Sequence, residues 1–297
     1  MKNGNLPINS SELIITPRGC IYHLDVHPDE IAHTIITVGD PGRVAEVSKY
    51  FDQIEAKKSH REFITHTGYI GKERISVVST GIGPDNIDIV LNELDALVNI
   101  DFERRTPKEE LTSLNIIRMG TTGSLQAEID VDSLVAGTYG LGLDNLLHYY
   151  NFEENAAESY IKSTFIQHVG LSNSVIQPYI AEASIHLLNK FPKNAGFHHG
   201  ITVTCPGFYG PQGRQLRLAP AFPNLINRLS TFRNGEHFIS NFEMETSAIY
   251  GLGKLLGHHC LSINTVIANR PNGTFSKDTQ ASVENMIKKS LEYLISG

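Results

Sequence analysis

The sequence predicts an α/β fold built in layers on a central β-sheet, and two observations predict it. Apolar, β-rich runs alternate with amphipathic helical stretches along the whole chain of 297 residues, the pattern of helices packed on a sheet. Several of these runs also end on a glycine turn that leads straight into a helical stretch.

The elements follow in order. "TIITVGD" (34–40) reads as a strand ending at a Gly-Asp-Pro-Gly turn, and "RVAEVSKYF" after it as a helix. "RISVVSTGIG" (74–83) leads into "DNIDIVLNELDALV", where Ile87, Val90, Leu91, Leu94, Leu97 and Val98 share one helical face. Further strands are predicted at 115–123, 133–142, 200–207 and 260–269, and helices at about 172–190, 245–256 and 279–295. Val283, Met286, Ile287, Leu291 and Leu294 form the buried stripe of the last helix. No repeat, low-complexity tract or linker divides the chain. The predicted organisation is an N-terminal extension over 1–20 and one domain over 21–297, with the charged segment 99–115 as a surface excursion.

Composition excludes several function classes. Hydrophobic content of 40% with 19% charged residues fits a soluble protein with a substantial core. A net charge of −7 without a basic block argues against nucleic acid. No segment is long and apolar enough to span a bilayer. Cys20, Cys205 and Cys260 are odd in number and scattered, which suits reduced thiols, so a cytoplasmic protein is expected. His23 and His27 stand four apart, but Pro28 follows and no carboxylate completes a ligand set, so no metal is expected.

Three stretches carry chemistry suited to an oxyanion. In "VGDPGRV", Gly39 follows a strand, Pro41 takes a first helical position, and Arg43 stands just beyond the exposed backbone N–H groups. An ordinary strand-to-helix turn with a surface arginine is the alternative. In "IIRMGTTG", Arg118 lies near the end of an apolar strand, followed by Thr121 and Thr122. A guanidinium there is costly to bury without an anion, which could equally be a structural carboxylate. "SHREF" adds Arg61. "GIGPDN" lacks the third glycine of the dinucleotide fingerprint, Asn86 taking its place.

"GDPGR", "SHREF", "STGIG", "IRMGTTGS", "GFYGPQGR" and "NFEMETSAIY" occur in this order from about Tyr22 to the C-terminus. Together they resemble the nucleoside phosphorylase superfamily, and "FYGPQGR" with "NFEMET" resembles its uridine phosphorylase branch. The resemblance implies a three-layer fold with a mixed central sheet. It also implies a pentosyltransferase of pyrimidine salvage, converting uridine and phosphate reversibly to uracil and ribose 1-phosphate, with deoxyuridine and thymidine as further candidate substrates. Gly39, Arg43, Arg118 and Thr121 match its phosphate ligands. Arg61 matches a phosphate-binding arginine, and His23 a histidine directed to the ribose 5′-hydroxyl, both donated by a neighbouring subunit. Thr121, Met244 and Glu245 match the ribose site. Thr122, Gly123, Phe208, Gln212 and Arg214 match the base pocket, and Arg270 a closing loop.

A uracil edge offers acceptor, donor, acceptor, which one amide and one guanidinium can read: Gln212 pairs with O2 and N3–H, and Arg214 donates to O4. Phe208 would pack on the ring. Gln212, Arg214 and Arg118 are therefore the expected catalytic set. Asn269 stands where purine-directed members carry an aspartate, which favours a pyrimidine. Ala268 replaces a larger aliphatic residue near the base, leaving room for a 5-methyl group. The family's monovalent cation lies between the glutamate of "SHREF" and a serine after "TGIG". Here Asn86 occupies that region beside Glu62, so no cofactor is expected, inorganic phosphate being a co-substrate. Sharing of Arg61 and His23 implies a homo-oligomer, a dimer at least, with a hexamer as the larger form. A purine nucleoside phosphorylase, a nucleoside hydrolase on the same fold and a non-catalytic nucleoside-binding protein are the alternatives.

Overall fold

The architecture was taken from a computed structural model, which describes residues 6–296. Strand β1 (Thr34–Val38) runs into α1 (Pro41–Ser48), followed by β2 (Gln53–His60), β3 (Phe63–Ile70), β4 (Glu73–Ser79) and α2 (Pro84–Asn99). Next come the two-residue strands β5 (Ile100–Asp101) and β6 (Thr106–Pro107), then β7 (Asn115–Ser124), β8 (Leu134–Gly142), α3 (Ala156–Val169), β9 (Tyr179–Glu182) and α4 (Ile185–Leu188). The rest is β10 (Phe197–Thr204), α5 (Leu225–Thr231), β11 (Arg233–Asn234), β12 (His237–Glu243), α6 (Thr246–Leu256), β13 (His259–Asn269), β14 (Thr274–Phe275) and α7 (Thr279–Ile295).

The large sheet has the order β11-β12-β10-β8-β13-β7-β1-β4-β3-β2 and is mixed. Strands β4, β1, β7 and β13 are mutually parallel along it, whereas β8 meets β13 antiparallel. Strand β12 pairs a second time, with β7, through Asn241–Ser124 and Phe242–Gly123, so the sheet closes on itself at that end. Helices cover both faces. Ser262 on β13 meets Thr246 of α6, and Thr265 meets Ser282 of α7. Residues 262 and 265 point to opposite sides of a pleated strand, so α6 and α7 lie on opposite faces and the fold has three layers. The central strands are buried on both sides, which is why they read as unbroken apolar runs.

The predicted helix at 172–190 does not form. Gly170 ends α3 in the left-handed region (φ 76°), Pro178 lies just ahead of β9, and Tyr179–Glu182 pairs antiparallel with β8. Only Ile185–Leu188 is helical there. Pairing with an adjacent strand outweighs local helix preference. The helix of this region is α3 instead, opened by a capping box of Asn155 and Glu158 and buried through Ile161, Phe165 and Val169.

The charged segment 99–115 carries the β5–β6 hairpin. Arg105 there clasps the start of the chain. Its guanidinium donates to the carbonyls of Ile8 (2.8 Å), Asn9 (3.1 Å) and Leu13, while its own carbonyl accepts Ile8 N–H at 2.7 Å. Leu13 and Ile21 join the main core.

Candidate active site

A cleft of about 860 Å³ opens where the C-terminal ends of β1, β4, β7, β12 and β13 converge. Ligands collect at this edge of α/β sheets because strand-to-helix turns leave backbone donors and side chains unpaired there. Of the residues singled out in the sequence, Gly39, Arg43, Arg118, Thr121, Thr122, Gly123, Phe208, Gln212, Arg214, Met244, Glu245 and Ala268 line it.

One end gathers two arginines, Arg43 and Arg118. Asp40 caps α1 by accepting Gly42 N–H at 2.8 Å, so the turn after Gly39 is held open. Gly81, in the left-handed region (φ 72°), brings the turn after β4 alongside, and a side chain there would overlap the Asn86 amide. Arg43 makes only a long bond, 3.4 Å, to the Met119 carbonyl. Burial and the nearby Arg118 push its guanidinium below the usual range. Two guanidinium groups so close repel one another, and an oxyanion held by both would relieve that repulsion.

Arg118 is anchored far more firmly. It lies over Gly120, where a Cβ would overlap Nη1. Nη1 donates to Asn264 Oδ1 at 2.7 Å, and Nη2 pairs with Glu245 and, at 3.5 Å, with Glu243. Burial opposes its charge, but the two glutamates outweigh burial and hold its pKa above the usual value. Glu245 also accepts Gly83 N–H at 2.9 Å, which joins the turn after β4 to the start of α6. Glu243 accepts the N–H groups of Glu245 (2.9 Å) and Thr246 (3.0 Å) and the Thr204 hydroxyl (2.8 Å).

Burial pushes the Glu243 carboxyl up to about 7 from an ordinary 4.5, with Arg118 opposing the rise and Glu245 adding to it. The folded chain therefore holds a proton that the unfolded chain releases, so this group's contribution to stability falls as pH rises from about 4.5 through about 7. A Glu243→Gln variant should show a flatter thermal midpoint against pH over that window than the parent. Equal slopes would contradict the protonated state.

At the other end, Gln212 is 3% exposed and accepts Arg214 Nη1 on its side-chain oxygen at 2.6 Å. Its amide NH2 has no protein partner among the described residues. The Arg214 guanidinium also donates to the Phe208 carbonyl at 2.8 Å and lies 3.7 Å from the centroid of the Phe208 ring. One face of Phe208 is thus taken by Arg214, a cation–π contact absent from the sequence reading. Arg270 does not line the cleft but stands directly behind it, donating to the Gln212 carbonyl at 3.1 Å. Burial and Arg270 both lower the Arg214 pKa, and burial lowers that of Arg270. A second pair of like charges therefore flanks the amide. Thr122 lines this region, but its hydroxyl is committed to the Phe242 carbonyl and to Asn241.

Besides Arg270, three expectations fall outside this cleft. His23 and Arg61 do not line it and lie together with Tyr22 and His60, Arg61 being the chain neighbour of the cleft residue Glu62. Asn269 is structural. Its amide donates to the Gln126 and Ile129 carbonyls, both at 2.9 Å, and its oxygen accepts Asn272 N–H.

A sequence model of the phosphorylase superfamily matches residues 33–296. The chain belongs to that superfamily. Over 272 residues it is 29% identical to a uridine phosphorylase of Thermococcus kodakarensis, covering 90% of this chain and 84% of that one. It is 25% identical over 278 residues to a DeoD-type purine nucleoside phosphorylase of Hahella chejuensis, covering 91% and 96%. Among solved structures, a Trypanosoma brucei nucleoside phosphorylase described as showing uridine phosphorylase activity superposes with a TM-score of 0.87 at 31% identity. That match covers 96% of this chain and all of the other.

This phosphorylase cleft also contains residues that the sequence reading did not single out. Phe242 lines it, with the guanidinium carbons of Arg214 and Arg270 5.9 and 5.7 Å from its ring, and it packs against Gly123. Its place inside "NFEMET" was the available signal. Asn264, fully buried, was visible only as a lone amide in an apolar strand. Phe275 also lines the cleft, as do Glu62 and Asn86, the two residues weighed above as a cation site.

Proposed function

We propose that this phosphorylase carries out reversible phosphorolysis of uridine to uracil and ribose 1-phosphate. One observation carries the reading: a single cleft has Arg43 and Arg118 at one end and Arg214 at the other, with Arg270 behind it. Phosphorolysis needs positive charge in both places, at the phosphate dianion and at the base that leaves as an anion. A hydrolase would need it at one.

In this reading phosphate takes the Gly39 turn, Arg43, Arg118 and Thr121, and Met244 and Glu245 hold the ribose. Uracil meets Gln212 and Arg214, with Thr122, Gly123 and Phe208 around it, Phe242 at its face, and Arg270 behind. A phosphate oxygen attacks C1′ while the C1′–N1 bond breaks, and the bonding electrons pass to uracil. The proton that uracil gains balances the one hydrogenphosphate gives up. Arg214 and Arg270 stabilise the charge that develops on the base, and this preorganised field is the main source of rate. Glu245 fixes the sugar so that the two reactants meet in line. Asn269, tied to backbone carbonyls, supplies no acid for a purine ring, which favours pyrimidines over the purine reading.

No cofactor enters the reading: Asn86 and Glu62 both approach Gly81, and the Asn86 amide nitrogen is turned to the Ile82 carbonyl. His23 and Arg61 lie outside their own cleft and would serve a neighbour's, which makes the working unit a homo-oligomer. No helix among the described residues is long and apolar enough to cross a membrane. The buried, unpaired Cys20, Cys205 and Cys260 suit a reducing cytoplasm and a role in pyrimidine salvage.

The test is to incubate the protein with uridine, thymidine or inosine, with and without phosphate, and to identify the products. The reading predicts uracil from uridine only when phosphate is present, and little turnover of inosine. Preferential cleavage of inosine would overturn it. Ala268 lines the cleft, and the room it leaves is assigned to a pyrimidine 5-methyl. Ala268→Val should lower kcat/KM for thymidine about tenfold relative to uridine, the scale of a single methylene in a fitted pocket. An unchanged ratio would contradict that assignment.

A further inference from the structure

We infer that Glu93 is the positioning residue for His23, fixing the imidazole so that Nε2 is presented to a hydroxyl group on the substrate sugar. The inference rests on the proposed reading of His23 as the partner of the ribose 5′-hydroxyl.

Glu93 projects from α2, seventy residues along the chain from His23. Its carboxylate accepts His23 N–H at 3.0 Å and Leu24 N–H at 2.9 Å, and it takes the ring nitrogen Nδ1 at 2.6 Å. One acidic side chain thus fixes the backbone of this segment and the ring it carries. The hold is reinforced on both sides. Leu24 and Val26 are fully buried, the His23 carbonyl accepts His60 Nδ1 at 3.0 Å, and Arg105 clasps the chain further back. The edges of the Tyr22 and Phe63 rings limit rotation of the imidazole.

The consequence for the ring is specific. A carboxylate at Nδ1 requires the proton there, so Nε2 is the nitrogen turned away from the fold. Nε2 makes no hydrogen bond among the described residues, and the His23 side chain is 27% exposed. A surface histidine serving only the fold would gain little from such preparation. A ring that must meet a hydroxyl group of a bound nucleoside gains a fixed direction.

The test compares uridine with 5′-deoxyuridine, which lacks only the oxygen in question. His23→Ala should lower kcat/KM for uridine about tenfold and for 5′-deoxyuridine less than about twofold, the scale of one lost hydrogen bond. Glu93→Ala should reproduce that selective loss. Glu93→Gln, whose oxygen can still take Nδ1–H, should restore most of it. Because both act on one contact, the double variant should lose no more on uridine than His23→Ala alone. An equal loss on both substrates in Glu93→Ala, or additive losses in the double variant, would overturn the inference while leaving the His23 reading intact. An unchanged substrate ratio in His23→Ala would overturn the reading of His23 and the inference with it. Nitrogen-15 spectra of histidine-labelled parent protein at pH 8 give a check that needs no variant to fold. His23 protonated on Nδ1 is expected, and a ring protonated on Nε2 alone would refute the proposal.

Discussion

Arg214→Ala lowers kcat for uridine phosphorolysis by about 10²–10³-fold, the range seen when one preorganised donor to developing charge is removed. The loss should fall on kcat more than on the uridine KM, because the guanidinium matters most once charge has moved onto the base. Two effects combine. The variant removes a positive charge beside the leaving group, and it frees the Gln212 oxygen that Arg214 holds at 2.6 Å. Arg270 remains nearby, bonded to the Gln212 backbone carbonyl, and its field accounts for the activity that is left. The fold should tolerate the change, since Arg214 caps no helix and its other protein bond is to the Phe208 carbonyl on the same loop. Steady-state kinetics at saturating phosphate are the check, and near-parental turnover would remove Arg214 from the mechanism.

Arg43→Ala should raise the phosphate KM by about 10–100-fold while leaving the uridine KM within about twofold. A charge-assisted bond is worth about 1.5–3 kcal/mol net, which sets that range. Arg43 and Arg118 differ in what else they do. Arg118 pairs with the buried Glu245, reaches Glu243 and is pinned by Asn264, so removing it strands the Glu245 charge and endangers the fold. Arg43 has one long backbone bond and a repulsive neighbour. Its removal therefore costs the fold little and isolates phosphate binding. Phosphate titration of the variant by kinetics or thermal shift decides the matter, and an unchanged phosphate KM would contradict the assignment.

The six motifs were legible because each lies at or beside a strand end, where residue choice is set by a ligand or a turn. A buried arginine in "NIIRMG" and a glutamine two residues from an arginine in "GPQGR" are costly unless something uses them, and the cleft gathers both. The partners of those residues were not legible. Glu243 and Asn264 reach Arg118 from β12 and β13, which lie far along the chain. Glu93 reaches His23 across seventy residues, and one acid on an amphipathic helix carries no local mark of that task. The closure of the sheet through Phe242–Gly123 is likewise a long-range pairing. Segment 172–190 misled for a related reason: β9 owes its form to β8, whereas the Asn155–Glu158 capping box that opens α3 was written locally.

The account depends on phosphate and pyrimidine meeting in one cleft, each between its own arginines. A crystal structure of the protein with uracil and ribose 1-phosphate, or with uridine and sulfate, tests this most directly. The predicted result has the anion on Arg43 and Arg118 and the base edge on Gln212 and Arg214. An anion oxygen should lie about 3–3.5 Å from C1′, opposite the base nitrogen. Ligands bound at those residues but too far apart for in-line displacement, or an anion bound elsewhere on the chain, would contradict it.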